Sequence, residues 1–464
     1  MSKDTHHLAR QLVSRWMALD GALVPDDVRQ FAALHCLDAM GVGIAAASLE
    51  QGQPYARYTR QAAQGPVSTL NGIKGLDASD AALVNGGLIH SLEYDDTHTE
   101  SIVHGSAVLL PAAMAVAQAV GAPPAAMLET YIKGYECLIR IGLAAQGGFQ
   151  RHGFQITSVA GTLVTALMAC DLMGADEDQC VDAMGIALSQ SSGVFEFLSN
   201  GSSVKSMHPG WSAHAGVVAA RLAMAGLQGP QTSLEGQRGL FMAFARDPDA
   251  AARLQGHLAD FGTIWHLRDV AFKLVPSCHY LHSFVEAAGE LAEQIGDPAQ
   301  IERIHLKIAE GAAPIVCEPW ENKQRPATGH AIRWSLPVIT AARFVDGKVD
   351  LDTFTHSASQ PVLDLAARTT WEPLQPNRFP RHFEANVQCV LRDGRVLGIS
   401  KEDVLGNASR PVTAQKVLEK FEANAARSLS PAMTDRIIGF WLHIADHADF
   451  DLLSDSLMSS RLTP

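Results

Sequence analysis

The sequence predicts a mainly α protein: a large all-helical domain over residues 1–270, completed by residues 405–464, and a smaller α+β domain over 271–404. Three observations predict it. Apolar residues recur at helical spacing through most of the first part of the chain. Near residue 300 that spacing gives way to strict alternation, the period of a strand. Hydrophobic residues make up 47% of the 464 residues and aromatics only 6%, with abundant alanine, which suits closely packed helices. A chain of this length exceeds one ordinary core.

The elements follow in order. Leu8, Leu12, Val13 and Trp16 share one helical face over residues 8–19, and Asp20-Gly21 ends it. Pro25 suits a first helical position, with Asp26 and Asp27 in the positive first turn and Val28, Phe31, Ala32 and Cys36 continuing the spacing. The most apolar stretch begins at Ala107-Val108-Leu109-Leu110, is interrupted by Gln118, and is shorter than a bilayer span; it reads as a buried helix. Leu163, Leu167 and Cys170 mark another helix, closed by Gly174, and Asp176 with Gln179 has capping-box spacing for the next. Ile304, Leu306 and Ile308 alternate as a strand, as do Phe383, Ala385, Val387, Cys389 and Leu391; Asp393-Gly394 then signals a hairpin into Arg395–Ile399. Trp334 to Phe344 reads as a helix between the strands. Thr413 is an N-cap for a helix carrying Val417, Leu418, Phe421 and Ala425.

A net charge of -13 lacks the basic footprint of a nucleic-acid binder. The seven scattered cysteines form no CxxC pair, as in a reduced cytoplasmic protein. The N-terminal segment MSKDTHHLARQLVSRW has no apolar signal core, so neither a leader nor a membrane anchor is expected.

Four polar clusters carry the candidate chemistry. In His90–His98, followed by His104-Gly105-Ser106, Asp95, Asp96 and His98 are metal ligands by residue type, but HExxH-like spacing is absent; a polar helix end with capping Asp and Thr is the other reading. In Arg151–Thr162, Thr157 or Ser158 is a possible N-cap, and the exposed N–H groups of that helix start suit a carboxylate as well as a simply capped core helix. Asn200–Gly210 contains Lys205 among serines and glycines but fails the phosphate-loop pattern; its lysine either neutralises a substrate carboxylate or is solvated. Lys273–His282 places His282 at the start of an apolar helix, with Cys278 nearby but no third residue to complete a cysteine nucleophile.

Taken together, these clusters resemble the MmgE/PrpD family over roughly residues 5 to 450. The resemblance rests on Asn85-Gly86 through Asp96-Thr97, His104-Gly105-Ser106 to Pro111, Gly201 to Gly210, Gly229-Pro230 with Leu234-Glu235-Gly236, and Pro276-Ser277-Cys278 leading to His282. That family includes 2-methylcitrate dehydratases, cis-aconitate decarboxylases and iminodisuccinate epimerases. The resemblance implies a helical domain with a small α+β lid, a homodimer, a cleft site between the domains, and no cofactor or metal. Glu93, Thr97, His104, Lys205 and His282 fall where the family places active-site groups. Three positions depart from the decarboxylase pattern: Glu93 for an aspartate, Gln155 for a histidine and Val338 for a tyrosine.

The implied reaction moves a proton at carbon beside a carboxylate. His104 and His282 are expected as acid and base, Lys205 as the carboxylate holder, Thr97 as a hydrogen-bond donor, Asp95 or Asp96 as the residue orienting a histidine, and Glu93 as a further proton carrier. Asp96, Gln155, Thr157, Ser202 and His208 are the remaining candidates for holding a small carboxylate substrate. The expected activity is a dehydratase-type lyase on a di- or tricarboxylate, with an epimerase of an amino- or imino-dicarboxylate or a cis-aconitate-type decarboxylase as alternatives. A non-catalytic carboxylate-binding protein and a metallo-hydrolase remain open outside that class.

Overall fold

The computed structural model describes residues 7–199 and 201–458. Asn200, which opens the third cluster, lies outside the described residues, as do 1–6 and 459–464 of the expected termini.

The protein is mainly helical. Its first part contains α1 (Leu8–Ala18), α2 (Asp26–Ala47), α3 (Ala78–His90), α4 (Gly105–Val120), α5 (Pro124–Ala145), α6 (Ile156–Met173), α7 (Glu177–Leu188) and α8 (Met207–Met224). Leu8, Leu12, Val13 and Trp16 are all buried, as the spacing in α1 requires. Pro25 sits one position earlier than expected, at the N-cap of α2. Its fixed φ of -63° with extended ψ sets the chain direction into the helix. In α4 the apolar run from Ala107 is buried, with Pro111 inside the helix. By length and composition α2 and α6 are apolar enough to cross a membrane, but 78% and 83% of their apolar windows are buried inside the fold.

Gly174 takes φ 74°, the left-handed C-cap of α6. Asp176 and Gln179 then form a reciprocal capping box on α7. Replacing Asp176 by Ala is expected to cost about 1 kcal/mol, read from the denaturant midpoint, because the Gln179 N–H loses its acceptor.

The helix pairs α3–α8, α6–α8, α3–α4 and α4–α6 form the centre. The α3–α8 crossing is made of backbone: a Cβ on Gly86 would lie 2.6 Å from the Gly210 Cα, and one on Gly210 only 2.2 Å from the Leu83 carbonyl oxygen. This close approach brings the C-terminal end of α3 beside the N-terminal end of α8.

The expectation of an all-helical first part needs a correction. It holds two short antiparallel ribbons, β1 (Gln64–Ser68) with β2 (Lys74–Leu76), and β3 (Thr97–His98) with β4 (Val270–Ala271). Segments of two to five residues are too brief to establish a period in sequence.

Beyond β4 the chain builds α9 (His282–Ile295), β5 (Ile301–Ile308), α10 (Leu336–Val345), β6 (Thr369–Pro373), β7 (Ala385–Leu391) and β8 (Val396–Lys401). The sheet order is β6-β5-β7-β8; β5 and β6 are parallel and the other pairs antiparallel. Residues of β7 alternate between buried and half-buried, and α9 packs on β7 and β8. Gly394, at φ 87°, closes the β7–β8 hairpin. The chain then returns to the helical part through α11 (Ala414–Ala425), capped by Thr413 and packed on α2, and α12 (Pro431–Leu442).

Among the described residues the buried apolar side chains form two separate cores. One joins α1 to α8 with Phe421, Ile437, Phe440 and Trp441 from α11 and α12. The other runs from Cys278 to Val404.

Candidate active site

A small cavity of about 60 Å³ lies where the helical and α+β parts meet. Its walls include Glu93, Thr97, His104, Gln155 and Lys205 from the helical side and Cys278, His279 and Trp334 from the α+β side.

Sequence position explains how these groups converge. The loop after α3 carries Glu93, Asp95 and Asp96 and passes into β3, where Thr97 faces the cavity. Glu93 has φ 52°, a left-handed conformation that costs a non-glycine residue about 1–2 kcal/mol. That twist directs its carboxylate at two lysines. Lys205 Nζ donates to Glu93 Oε1 at 2.5 Å, and Lys273 Nζ lies 3.9 Å from Oε2 while donating to the Glu93 carbonyl at 3.3 Å. Burial alone would raise the Glu93 carboxyl, but Lys205 and then Lys273 outweigh it and hold it well below the usual range. Lys205 also sits 5.4 Å from the Trp334 ring centroid.

His104 precedes α4. Its Nδ1 is 3.1 Å from the Asp96 carbonyl oxygen and 3.1 Å from Thr97 Oγ1. A carbonyl only accepts, so Nδ1 carries the proton and Nε2 keeps its lone pair. Burial, then the charge of Lys273, pushes His104 down to about 3, against the opposing pull of Asp95. The ring is therefore a neutral base at ordinary pH, with its side chain 13% exposed.

A second network runs behind it. His208 Nδ1 donates to Gln155 Oε1 at 2.7 Å, the Gln155 amide donates to His90 Nε2 at 3.0 Å, and His90 Nδ1 donates to Asp95 Oδ2 at 2.8 Å. Gln155 bridges two histidines but cannot exchange a proton at ordinary pH, so the line orients rings and interrupts proton passage. Burial opposes ionisation of Asp95, and His90 more than offsets it, leaving that carboxyl far below its ordinary range.

The other sequence candidates lie elsewhere. Asp96 is 1% exposed and points into the core, accepting from Tyr135 Oη at 2.6 Å and from the Ser106 N–H and hydroxyl. Thr157 is buried and accepts the His104 N–H at 2.9 Å. Thr157 and Ser158 stand inside the first turn of α6, whose N-cap is Gln155, contrary to the capping expected for them. His208 sits behind Gln155, and Ser202 opens the 3-10 turn Ser203–Ser206 away from the cavity lining. His282 does not line the cavity: its Nε2 donates to the Ser277 carbonyl at 3.3 Å and its ring lies 4.7 Å from that of His279. The wall position belongs to His279, whose two buried ring nitrogens have no partner among the described residues. Val338 is buried in the second core, and Trp334 is the wall residue of that stretch.

Sequence reasoning missed His90, Lys273 and His279 as site residues. The signal for Lys273 was available: a lysine just before an apolar Leu-Val-Pro run is costly to bury without an anion, and Glu93 is that anion.

A cluster formed by His90, Asp95 and His104 offers ligand atoms within 4.8 Å of one another. Both ring nitrogens of His90 and the Nδ1 of His104 are already committed to hydrogen bonds, so a cation there would have to displace them.

Three relatives align along most of the chain. Cis-aconitate decarboxylase of Homo sapiens is 26% identical over 439 residues, covering 91% of this chain and 88% of its own. Cis-aconitate decarboxylase of Aspergillus terreus is 26% identical over 438 residues, covering 89% and 87%. A cis-aconitate decarboxylase-like protein of Aspergillus oryzae is 24% identical over 461 residues, covering 95% and 94%. The MmgE/PrpD N-terminal domain matches residues 10–253 and the C-terminal domain residues 275–440, and with both halves accounted for the chain belongs to the MmgE/PrpD family.

Proposed function

We propose that the protein is a lyase acting on a small di- or tricarboxylate by acid–base chemistry, without a cofactor. The observation that carries this reading is the neutral His104 lining the same cavity as the Lys205–Glu93 pair. A carbon acid beside a carboxylate loses its proton only if the charge that develops is stabilised. Lys205 and Lys273 supply that charge, and the Thr97 hydroxyl hydrogen is available to a substrate oxygen once Oγ1 accepts from His104. An incoming carboxylate competes with Glu93 for Lys205, so Glu93 becomes easier to protonate as substrate binds.

Elimination of water fits groups on two walls: His104 takes the proton from carbon and returns it to the departing hydroxyl, while His279 on the α+β side, kept neutral by burial, hydrogen-bonds the leaving oxygen, with His282 behind it. Decarboxylation is the second reading. It is supported by the names of the relatives and by the apolar wall of Phe195, Phe197 and Ile315, where a carboxylate is poorly solvated. Proton and carbon NMR on a panel of ¹³C-labelled hydroxy-, unsaturated and amino-polycarboxylates in deuterated water separates the outcomes. A vinyl resonance without carbon loss means dehydration, and labelled bicarbonate means decarboxylation. Deuterium at Cα alone means epimerisation. A panel returned unchanged and unexchanged would leave a binding protein.

The acid limb of activity is expected to follow unfolding rather than titration of the base. His282 is held down to about 3 and His208 to about 4, each by burial first. In the unfolded chain each binds a proton near about 6.5. Between those values the unfolded state binds more protons, so stability falls as pH drops from about 6.5 toward 4. Activity and near-UV circular dichroism should be lost together below about pH 6. Loss of kcat/KM near pH 6.5 with the fold intact would contradict a buried neutral His104.

A further inference from the structure

A second group of ionisable side chains lies on the far side of the β3–β4 ribbon. Strand alternation turns Thr97 into the catalytic cavity and His98 to the opposite face. The register pairs His98 with Val270, so the turn His266–Asp269 that feeds β4 lies beside it. His98, His266 and Asp269 each present one ligand atom, all within 4.8 Å of one another.

We propose that His98, His266 and Asp269 form a binding site for a divalent transition-metal ion of the zinc class, separate from the catalytic cavity. Two imidazoles and one carboxylate are a ligand set that zinc accepts, with a further position left for water. Ligand atoms about 2.0–2.1 Å from such an ion sit roughly 3.4 Å apart, and the exposed Asp269 side chain can swing to close the set.

Two features beyond proximity support a built site. The Nε2 of His266 is buried and has no partner among the described residues. A buried orphan nitrogen costs free energy unless something occupies it. The Nδ1 of His98 accepts the Ser101 N–H at 3.3 Å and lies 2.8 Å from Ser101 Oγ, so Ser101 fixes the ring, and an ion at Nε2 displaces the proton that nitrogen carries. The turn is also rigid: the N–H groups of His266 and Leu267 donate to the two Glu136 carboxylate oxygens at 3.1 and 2.9 Å, and Arg140 clamps that carboxylate. All seven cysteines are buried and do not compete for the ion.

The test is calorimetric titration of chelator-treated full-length protein with Zn²⁺, paralleled by Co²⁺ with its visible absorption. One ion per chain is expected. Asp269→Asn, at an exposed position, and His266→Gln should each weaken uptake by at least about tenfold, while His104→Asn leaves it unchanged. Circular dichroism identifies any variant that has lost its fold. Absence of stoichiometric uptake overturns the proposal. So does uptake that survives Asp269→Asn, or uptake lost in His104→Asn, which would move the ion to His90, Asp95 and His104.

Discussion

Replacing His104 by Asn is expected to lower kcat by about 10²–10⁴-fold while changing KM little. The asparagine amide can still donate to the Asp96 carbonyl, so the loop keeps its hydrogen bond and loses only the basic nitrogen. The loss corresponds to about 3–5 kcal/mol of barrier. On the proposed reading the substrate carboxylate is held by Lys205, which the change leaves in place. Steady-state kinetics with whichever acid the NMR panel identifies, together with solvent-deuterium exchange into that acid, makes the measurement. Retention of more than about a tenth of wild-type kcat would remove His104 as the base and move attention to His279 on the opposite wall.

Replacing Lys420 by Met is expected to destabilise the protein by about 3–5 kcal/mol, the cost of leaving a buried charge without its partner. Lys420 on α11 lies 2.8 Å from Asp38 Oδ1, and its Nζ donates to the Tyr94 carbonyl at 2.9 Å while resting 3.9 Å from the Tyr94 ring centroid. Both charged groups are almost fully buried. Burial raises the Asp38 carboxyl even with Lys420 opposing it. Without the lysine that carboxyl binds a proton more readily folded than unfolded, so the deficit relative to wild type should shrink as pH is lowered from 8 to 5. Denaturant titration at several pH values, followed by far-UV circular dichroism, measures it. Lys420→Met combined with Asp38→Asn should recover most of the loss. A deficit that is the same at every pH, and unrelieved by the second change, would mean that Lys420 acts through packing and not charge.

The elements legible in sequence are those whose signal is local. The α1 stripe, the Asp176/Gln179 box, the Gly174 and Thr413 caps and the alternation in β5 and β7 each fit within one element. The short ribbons were not legible, because pairing His98 with Val270 depends on residues that meet across the fold. The site divides in the same way. The polar clusters contain Glu93, Thr97, His104 and Lys205, and the family resemblance singled them out, but Lys273 acquires meaning only beside Glu93. His279 and His282 are three residues apart around a 3-10 turn entering α9, and which ring faces the cavity depends on the docking of the two parts. Both rings are buried, so burial does not separate them.

The lysine on α11 also bears on synthesis. A chain leaving the ribosome has every cavity wall in hand once Trp334 has emerged, yet the peptide that follows Glu93 is anchored by a residue more than eighty positions later. Until α11 reaches α2, Asp38 lacks its counter-ion and the turn holding Glu93 and Asp95 has lost one of its tethers. Nascent copies halted before residue 420 are therefore expected to emerge with the cavity-lining groups present but unbraced, so that bracing of the cavity waits for α11.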